Sequence, residues 1–217
     1  MITTYDIFYY LIYIICLFCS IKAREEHIPG LLFLRLLLYC GLITEGIVEI
    51  MQYYKLKRSE NIPYYFYIPT EYFLLVFFYA KNTTRPLLKK VMLSSTGIYL
   101  GICSYIVARQ QGMVEYPAWV YSSSCVLNTI WVTLLFLEMQ YVESTGITRL
   151  PVFWIYTGLL VFYTSVFFFN GPYSYLLKAN SELADTLRKR LNITMNYVLY
   201  LTLTYGFICS LRMKRSS

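Results

Sequence analysis

Four charged side chains fall inside apolar runs long enough to cross a lipid bilayer. Arg35, Glu45 and Glu49 lie in one run and Glu71 in another. An ionised group at the centre of hydrocarbon costs about 2.5–3.5 kcal/mol on insertion scales, so such residues mark function or specific pairing. Residues three or four apart share a helix face, which puts Glu45 and Glu49 together. Two carboxylates facing a polar cavity would bind a cation, a proton or a polar ligand. The competing reading leaves Glu49 in the membrane interface and makes Glu45 and Arg35 structural, each paired with a neighbouring helix. Arg35 cannot reach Glu49 along its own helix, being about 21 Å away at 1.5 Å per residue.

Other polar residues extend this pattern. Tyr64, Tyr67 and Glu71 share a face next to Pro69, whose missing N–H frees a carbonyl and tends to kink a helix. That carbonyl and the Thr70 hydroxyl are expected to add polarity beside Glu71. A tyrosine beside a buried carboxylate suits a ligand pocket, a proton relay or a satisfied structural pair. Tyr121, Ser124, Asn128 and Trp131 form one stripe, and Asn192, Asn196 and Tyr200 another. Asparagines at such positions often join helices by hydrogen bonds worth about 1 kcal/mol. The sharper expectation is that Glu45, Glu71, Asn128 and Asn196, on four different helices, converge in one pocket. The candidate ligand-binding set is therefore Glu45, Glu49, Tyr67, Glu71, Asn128, Trp131, Asn192, Asn196 and Tyr200.

Catalytic and cofactor signatures are absent from the sequence. The single histidine, His27, falls in a loop, which excludes a haem or metal site built from intramembrane histidines. There is no HExxH, no GxSxG and no glycine-rich phosphate loop. The last run has no lysine to carry a retinal Schiff base. No cofactor and no metal are expected. Cys16, Cys19, Cys40, Cys103, Cys125 and Cys209 all fall in apolar runs, where cysteine packs as a small hydrophobe. Asn82-Thr-Thr and Asn192-Ile-Thr match glycosylation acceptors, and the second falls at or inside an apolar run.

The elements that would position these groups are long apolar helices. Of 217 residues, 58% are hydrophobic, 19% aromatic and only 14% charged, against about 25% charged in soluble proteins. Mean hydropathy is +0.50. A span needs about 20 residues, and seven apolar runs account for almost the whole chain: residues 7–21, 30–54, 64–80, 91–108, 118–137, 151–170 and 191–211. The expectation is an all-α polytopic membrane protein, a single seven-helix domain with short connections. The first run is read as a retained span. Residues 1–6 lack the basic charge of a signal peptide, and no small-residue cleavage site follows.

The net charge of +7 does not indicate nucleic acid, because the basic residues sit at span ends, where they meet anionic head groups. With the N-terminus outside, the inner side collects ten lysines and arginines and the outer side eight. The N-terminal tail, which has no lysine or arginine, and the basic C-terminal tail point the same way, to N-out and C-in. Tyr9, Tyr10, Tyr53, Tyr54, Tyr64, Tyr65, Trp119, Tyr121, Trp154, Tyr173 and Tyr175 cluster near run ends as an aromatic belt. Tyr163 and Tyr200 fall inside runs and must find hydrogen-bond partners. Asn170-Gly171-Pro172 is expected to break the sixth span. Asn180 would then cap a helix continuing into the seventh span.

Three stretches carry a resemblance: Ile68-Pro69-Thr70-Glu71 with its flanking aromatics, Phe153-Trp154-Ile155-Tyr156-Thr157-Gly158 opening the sixth run, and the paired Asn192 and Asn196 ahead of Gly206-Phe207-Ile208-Cys209. Together they resemble a group of short seven-span proteins of the Bacteroidetes. The resemblance implies a bacterial inner-membrane protein with a sensory input role beside a sensor kinase or another membrane signalling protein. The leading expectation is thus a seven-helix sensor that binds a small ligand in a polar intramembrane pocket. A small transporter or proton/cation pathway, a subunit of a larger membrane complex, and a lipid-acting enzyme using Glu45 or Glu71 as acid or base stay open at this level.

Overall fold

The computed structural model describes residues 4–54, 56, 61–109, 116–142, 146–179 and 181–213. Each of the seven apolar runs forms an α-helix: α1 (Thr4–Lys22), α2 (Leu31–Tyr53), α3 (Ile62–Asn82), α4 (Pro86–Arg109), α5 (Ala118–Val142), α6 (Pro151–Ala179) and α7 (Ser181–Arg212). A 3-10 turn at Ile147–Arg149 leads into α6. The described residues contain no β-strand.

Four of these helices are long and apolar enough to cross a membrane: α2, α4, α5 over Ala118–Met139, and α6 over Pro151–Asn170. The apolar part of α1, Ile7–Lys22, is shorter. Helices α3 and α7 have the length, but tyrosine, asparagine, threonine and charged residues dilute their hydropathy. The outer surface is apolar. Ile7, Phe8, Leu11 and Phe18 on α1, Ile43 and Ile50 on α2, Leu87 and Ile98 on α4 and Phe168 on α6 are all exposed. Apolar surface this extensive is what a bilayer covers and water would not tolerate on a monomer. This is a membrane protein.

Helices α1, α2, α3, α5, α6 and α7 pack in sequence around a ring that the α1–α7 contact closes. Helix α4 sits outside it, against α3 and α5. Helix α3 is well enclosed: Tyr65, Ile68, Glu71, Tyr72, Leu75, Val76, Phe78, Tyr79 and Ala80 are all buried. Its burial places Glu71 at the centre of the bundle.

Small residues set the closest approach. A Cβ on Gly158 would overlap the Thr202 side chain of α7, and one on Gly206 would lie 2.9 Å from the Pro151 carbonyl oxygen. Glycine at both positions lets α6 and α7 form the most extensive pairing in the bundle.

Two sequence expectations fail here. Asn170-Gly171-Pro172 does not break the sixth helix, which continues to Ala179. Pro172 removes one backbone donor, the bond to the carbonyl four residues earlier. The long contact with α7 keeps the flanking turns helical. Helix α7 does run from Ser181 through the seventh apolar run, while the expected cap, Asn180, lies outside the described residues. Likewise, Thr70 does not add polarity beside Glu71. It is exposed, and its hydroxyl donates to the Phe66 carbonyl at 2.8 Å, on the lipid side of α3.

Arg35 pairs with no carboxylate among the described residues. Its Nε donates to the Ser20 carbonyl and its Nη2 to the Ala23 carbonyl, both at 2.9 Å. A cation on the unsatisfied carbonyls ending α1 satisfies orphan acceptors and the helix dipole together. Arg35 fastens the α1–α2 corner and is structural.

Candidate functional site

A cavity of about 300 Å³ opens between α1, α2, α3, α5, α6 and α7, at the small end of the range for small-molecule sites. Its rim carries Gln52, Asn61 and Tyr116, close to helix ends on the side of the N-terminus, and Asn192, about three turns into α7. Glu49 is exposed there. Deeper in, Glu45 and Glu71 face the same space, together with Tyr9, Tyr13, Tyr67, Tyr163, Asn196 and Tyr200. The floor is apolar. Beyond Leu37, Ile68, Leu159 and Leu203, which line it, the interior is filled by the buried Leu34, Leu75, Phe78, Ile155 and Phe207. The cavity therefore reaches one side of the bundle only.

Each deep carboxylate is half-satisfied in the same manner. The Tyr9 hydroxyl donates to Glu45 Oε1 at 2.5 Å. The Tyr163 hydroxyl donates to Glu71 Oε1 at 2.5 Å. In both, Oε2 is buried without a hydrogen-bond partner among the described residues. Glu71 is only 5% exposed. Tyr13 and Tyr67 lie within electrostatic reach of both carboxylates, which places Glu45 and Glu71 in one shared site. Among the described residues, the lining contains no lysine, arginine or histidine. Such orphaned acceptors are uncommon in folded proteins and call for an explanation.

The tyrosines are held in turn. Tyr9 and Tyr200 approach hydroxyl to hydroxyl at 3.4 Å. Tyr200 stacks on Tyr13 with ring centroids 4.4 Å apart and planes 15° from parallel. The Tyr13 hydroxyl donates to the Leu38 carbonyl at 2.6 Å, next to Gly41, where a Cβ would collide with it. An aromatic wall running from α1 to α7 thus fixes the donor that holds Glu45.

Of the nine residues expected to form the site, seven line this cavity: Glu45, Glu49, Tyr67, Glu71, Asn192, Asn196 and Tyr200. Asn128 and Trp131 do not. The Asn128 amide donates to the Ser124 carbonyl at 3.0 Å and to the Ser124 hydroxyl at 3.1 Å, within its own helix. Trp131 Nε1 donates to the Tyr72 hydroxyl at 3.1 Å, and that hydroxyl lies 2.6 Å from Ser95 Oγ. Trp131, Tyr72 and Ser95 join α5, α3 and α4 behind the cavity wall. The α5 stripe turns that way because α4 packs outside the ring against α3 and α5, so the Trp131 face of α5 meets Tyr72 of α3 and not the cavity. Only Tyr121 from this stripe reaches the cavity.

Three participants escape a reading of the sequence. Tyr9, by position a member of the aromatic belt, is buried and carries Glu45. Tyr163 needs a partner by its place in an apolar run; that partner is Glu71. Tyr13 gives no signal beyond its place in such a run. The donor to Glu71 comes from α6 and not from Tyr67, its neighbour on α3.

Glu138 is a further buried carboxylate, at the opposite end of the bundle. Its Oε2 accepts from the Thr83 hydroxyl at 2.7 Å, and its Oε1 accepts from the Thr84 N–H at 2.7 Å and from the Thr84 hydroxyl. Both its oxygens are engaged, so it ties the α3–α4 connection to α5 and offers nothing to a ligand. Among the described residues, no three His, Cys, Asp or Glu side chains gather in metal-binding positions. All six cysteines are free thiols.

Comparison with protein-family models, with curated proteins and with solved structures gives no match for this chain.

Proposed function

We propose that this protein is a seven-span sensor of the bacterial inner membrane, oriented N-out and C-in, that takes a small ligand into its cavity from the outer side. The observation that carries this reading is the cavity itself: it holds two buried carboxylates among tyrosines, is built from six helices, and is closed at the end away from the N-terminus by packed apolar side chains. A pathway for transport needs access to both sides in turn. A one-sided pocket lined by six helices suits a receptor, because a ligand there touches every helix of the ring and biases their packing through its differential affinity. The resemblance to Bacteroidetes seven-span proteins supports the same reading and suggests a sensor kinase, or another membrane signalling protein, as the partner. The basic connection containing Lys81, Arg85, Lys89 and Lys90 and the C-terminal tail face that partner on the inner side.

The test is retention of a small molecule. Ile193 lines the cavity and is only partly buried, so Ile193→Trp fills the site without disturbing the packed floor. Protein purified in mild detergent is expected to carry a small molecule, detected by mass spectrometry, that Ile193→Trp loses while remaining folded. Equal small-molecule content in both proteins would count against a ligand in this cavity. Uptake of that molecule into proteoliposomes would favour transport instead.

A further inference from the structure

We infer that the ligand is a small organic ammonium ion, a protonated amine whose N–H groups donate to the unpartnered oxygens of Glu45 and Glu71. The inference rests on the cavity being a ligand site and adds the chemistry of what enters it. Three independent features agree. First, the described lining holds Glu45, Glu49 and Glu71 and no basic side chain. An anion would meet only like charge there. Second, Oε2 of Glu71 and Oε2 of Glu45 are each buried without a donor among the described residues, while Oε1 of each is held by a tyrosine. Tyrosine fixes the carboxylate plane and leaves one acceptor free, which a ligand must supply with N–H or O–H. Third, nine tyrosines among the described residues line the space. Aromatic faces attract ammonium groups, most strongly where water is excluded. A bare divalent cation would find too few ligands, since no cluster of three metal-binding side chains exists among the described residues. An uncharged alcohol would satisfy one orphan oxygen but gain nothing from the charge or from the rings.

The experiment uses the full-length protein in detergent and two charged probes of similar size. Thr44 lines the cavity one residue before Glu45, and Thr44→Cys places a thiol there. Aminoethyl methanethiosulfonate carries an ammonium; sulfonatoethyl methanethiosulfonate carries an anion. With the parent protein as background, the ammonium reagent is expected to modify Thr44→Cys about tenfold faster or more, the scale of local counter-ion enrichment by a charged cleft. Adding Glu45→Gln and Glu71→Gln should bring the ratio close to one. A thermal-unfolding series tests the same point without a covalent probe. Phenethylamine should raise the midpoint and phenylethanol should not, and Glu71→Gln should abolish the shift. Equal modification by both reagents, or no stabilisation by the amine beyond the alcohol, overturns the ammonium assignment and leaves the pocket standing. Failure of both reagents to reach the introduced thiol above background would remove the pocket reading as well.

Discussion

At the scale of single residues, the two deep carboxylates are linked to their tyrosines in a way that mutation can separate. Tyr163 is buried and its hydroxyl is the donor that holds Glu71. Removing that hydroxyl leaves Glu71 with both oxygens unmet, and a buried unsatisfied acceptor costs about 1–3 kcal/mol. Tyr163→Phe should therefore lower stability by about 2 kcal/mol, read as thermal unfolding in detergent. Replacing both partners by apolar groups removes the unmet acceptor along with the donor, so Glu71→Leu combined with Tyr163→Phe should recover most of that loss. Strict additivity of the two single changes would contradict a direct bond between them. Sequence alone showed that Glu71 needed a partner. It did not show which tyrosine, because partner choice depends on which helices meet.

At the scale of helices, small residues decide where the ring closes. Gly158 has no room for a Cβ against Thr202, whose hydroxyl already donates to the Val198 and Leu199 carbonyls at 2.8 Å. Gly46, Gly97 and Gly101 have nothing within 4 Å of an added Cβ. Gly158→Ala should thus destabilise the protein by about 1–3 kcal/mol through overpacking. Gly46→Ala should be neutral or stabilise slightly, by up to about 1 kcal/mol, because alanine is the better helix former. Parallel unfolding curves for the two variants make the comparison. A similar response at both positions would mean that the α6–α7 contact is looser than these distances imply. The helix-scale reading of the sequence failed at Asn170-Gly171-Pro172 for a related reason. A local breaker signal was outweighed by a long tertiary contact, which sequence windows do not contain.

For the molecule as a whole, the charge distribution and the cavity make one joint statement about direction. The rim lies at the end of the bundle that carries the N-terminus, so the orientation of the chain decides which compartment the ligand comes from. The N-terminal tail, without lysine or arginine, and the basic C-terminal tail predict N-out and C-in. A green fluorescent protein fused after Ser217 should therefore fluoresce, and alkaline phosphatase at the same place should be inactive. The opposite pair of results would turn the cavity toward the cytoplasm and reverse the proposed route of the ligand.

What the sequence settles by itself is the solvent. Long apolar runs with few charges, and polar residues kept to particular faces, are sufficient to dictate a helical membrane protein, because a lipid-exposed backbone must satisfy its hydrogen bonds internally. The faces bearing Glu45, Glu49, Tyr67, Glu71, Asn196 and Tyr200 were also legible, since helical periodicity is a local property. Tertiary structure decided the rest. It turned Asn128 and Trp131 away from the cavity, brought Tyr9 and Tyr163 from distant helices onto the carboxylates, and left one oxygen of each unmet among the described residues. Those outcomes follow from the order in which helices pack around the ring, with α4 outside it, a matter of long-range shape and close contact that no spacing along the chain encodes.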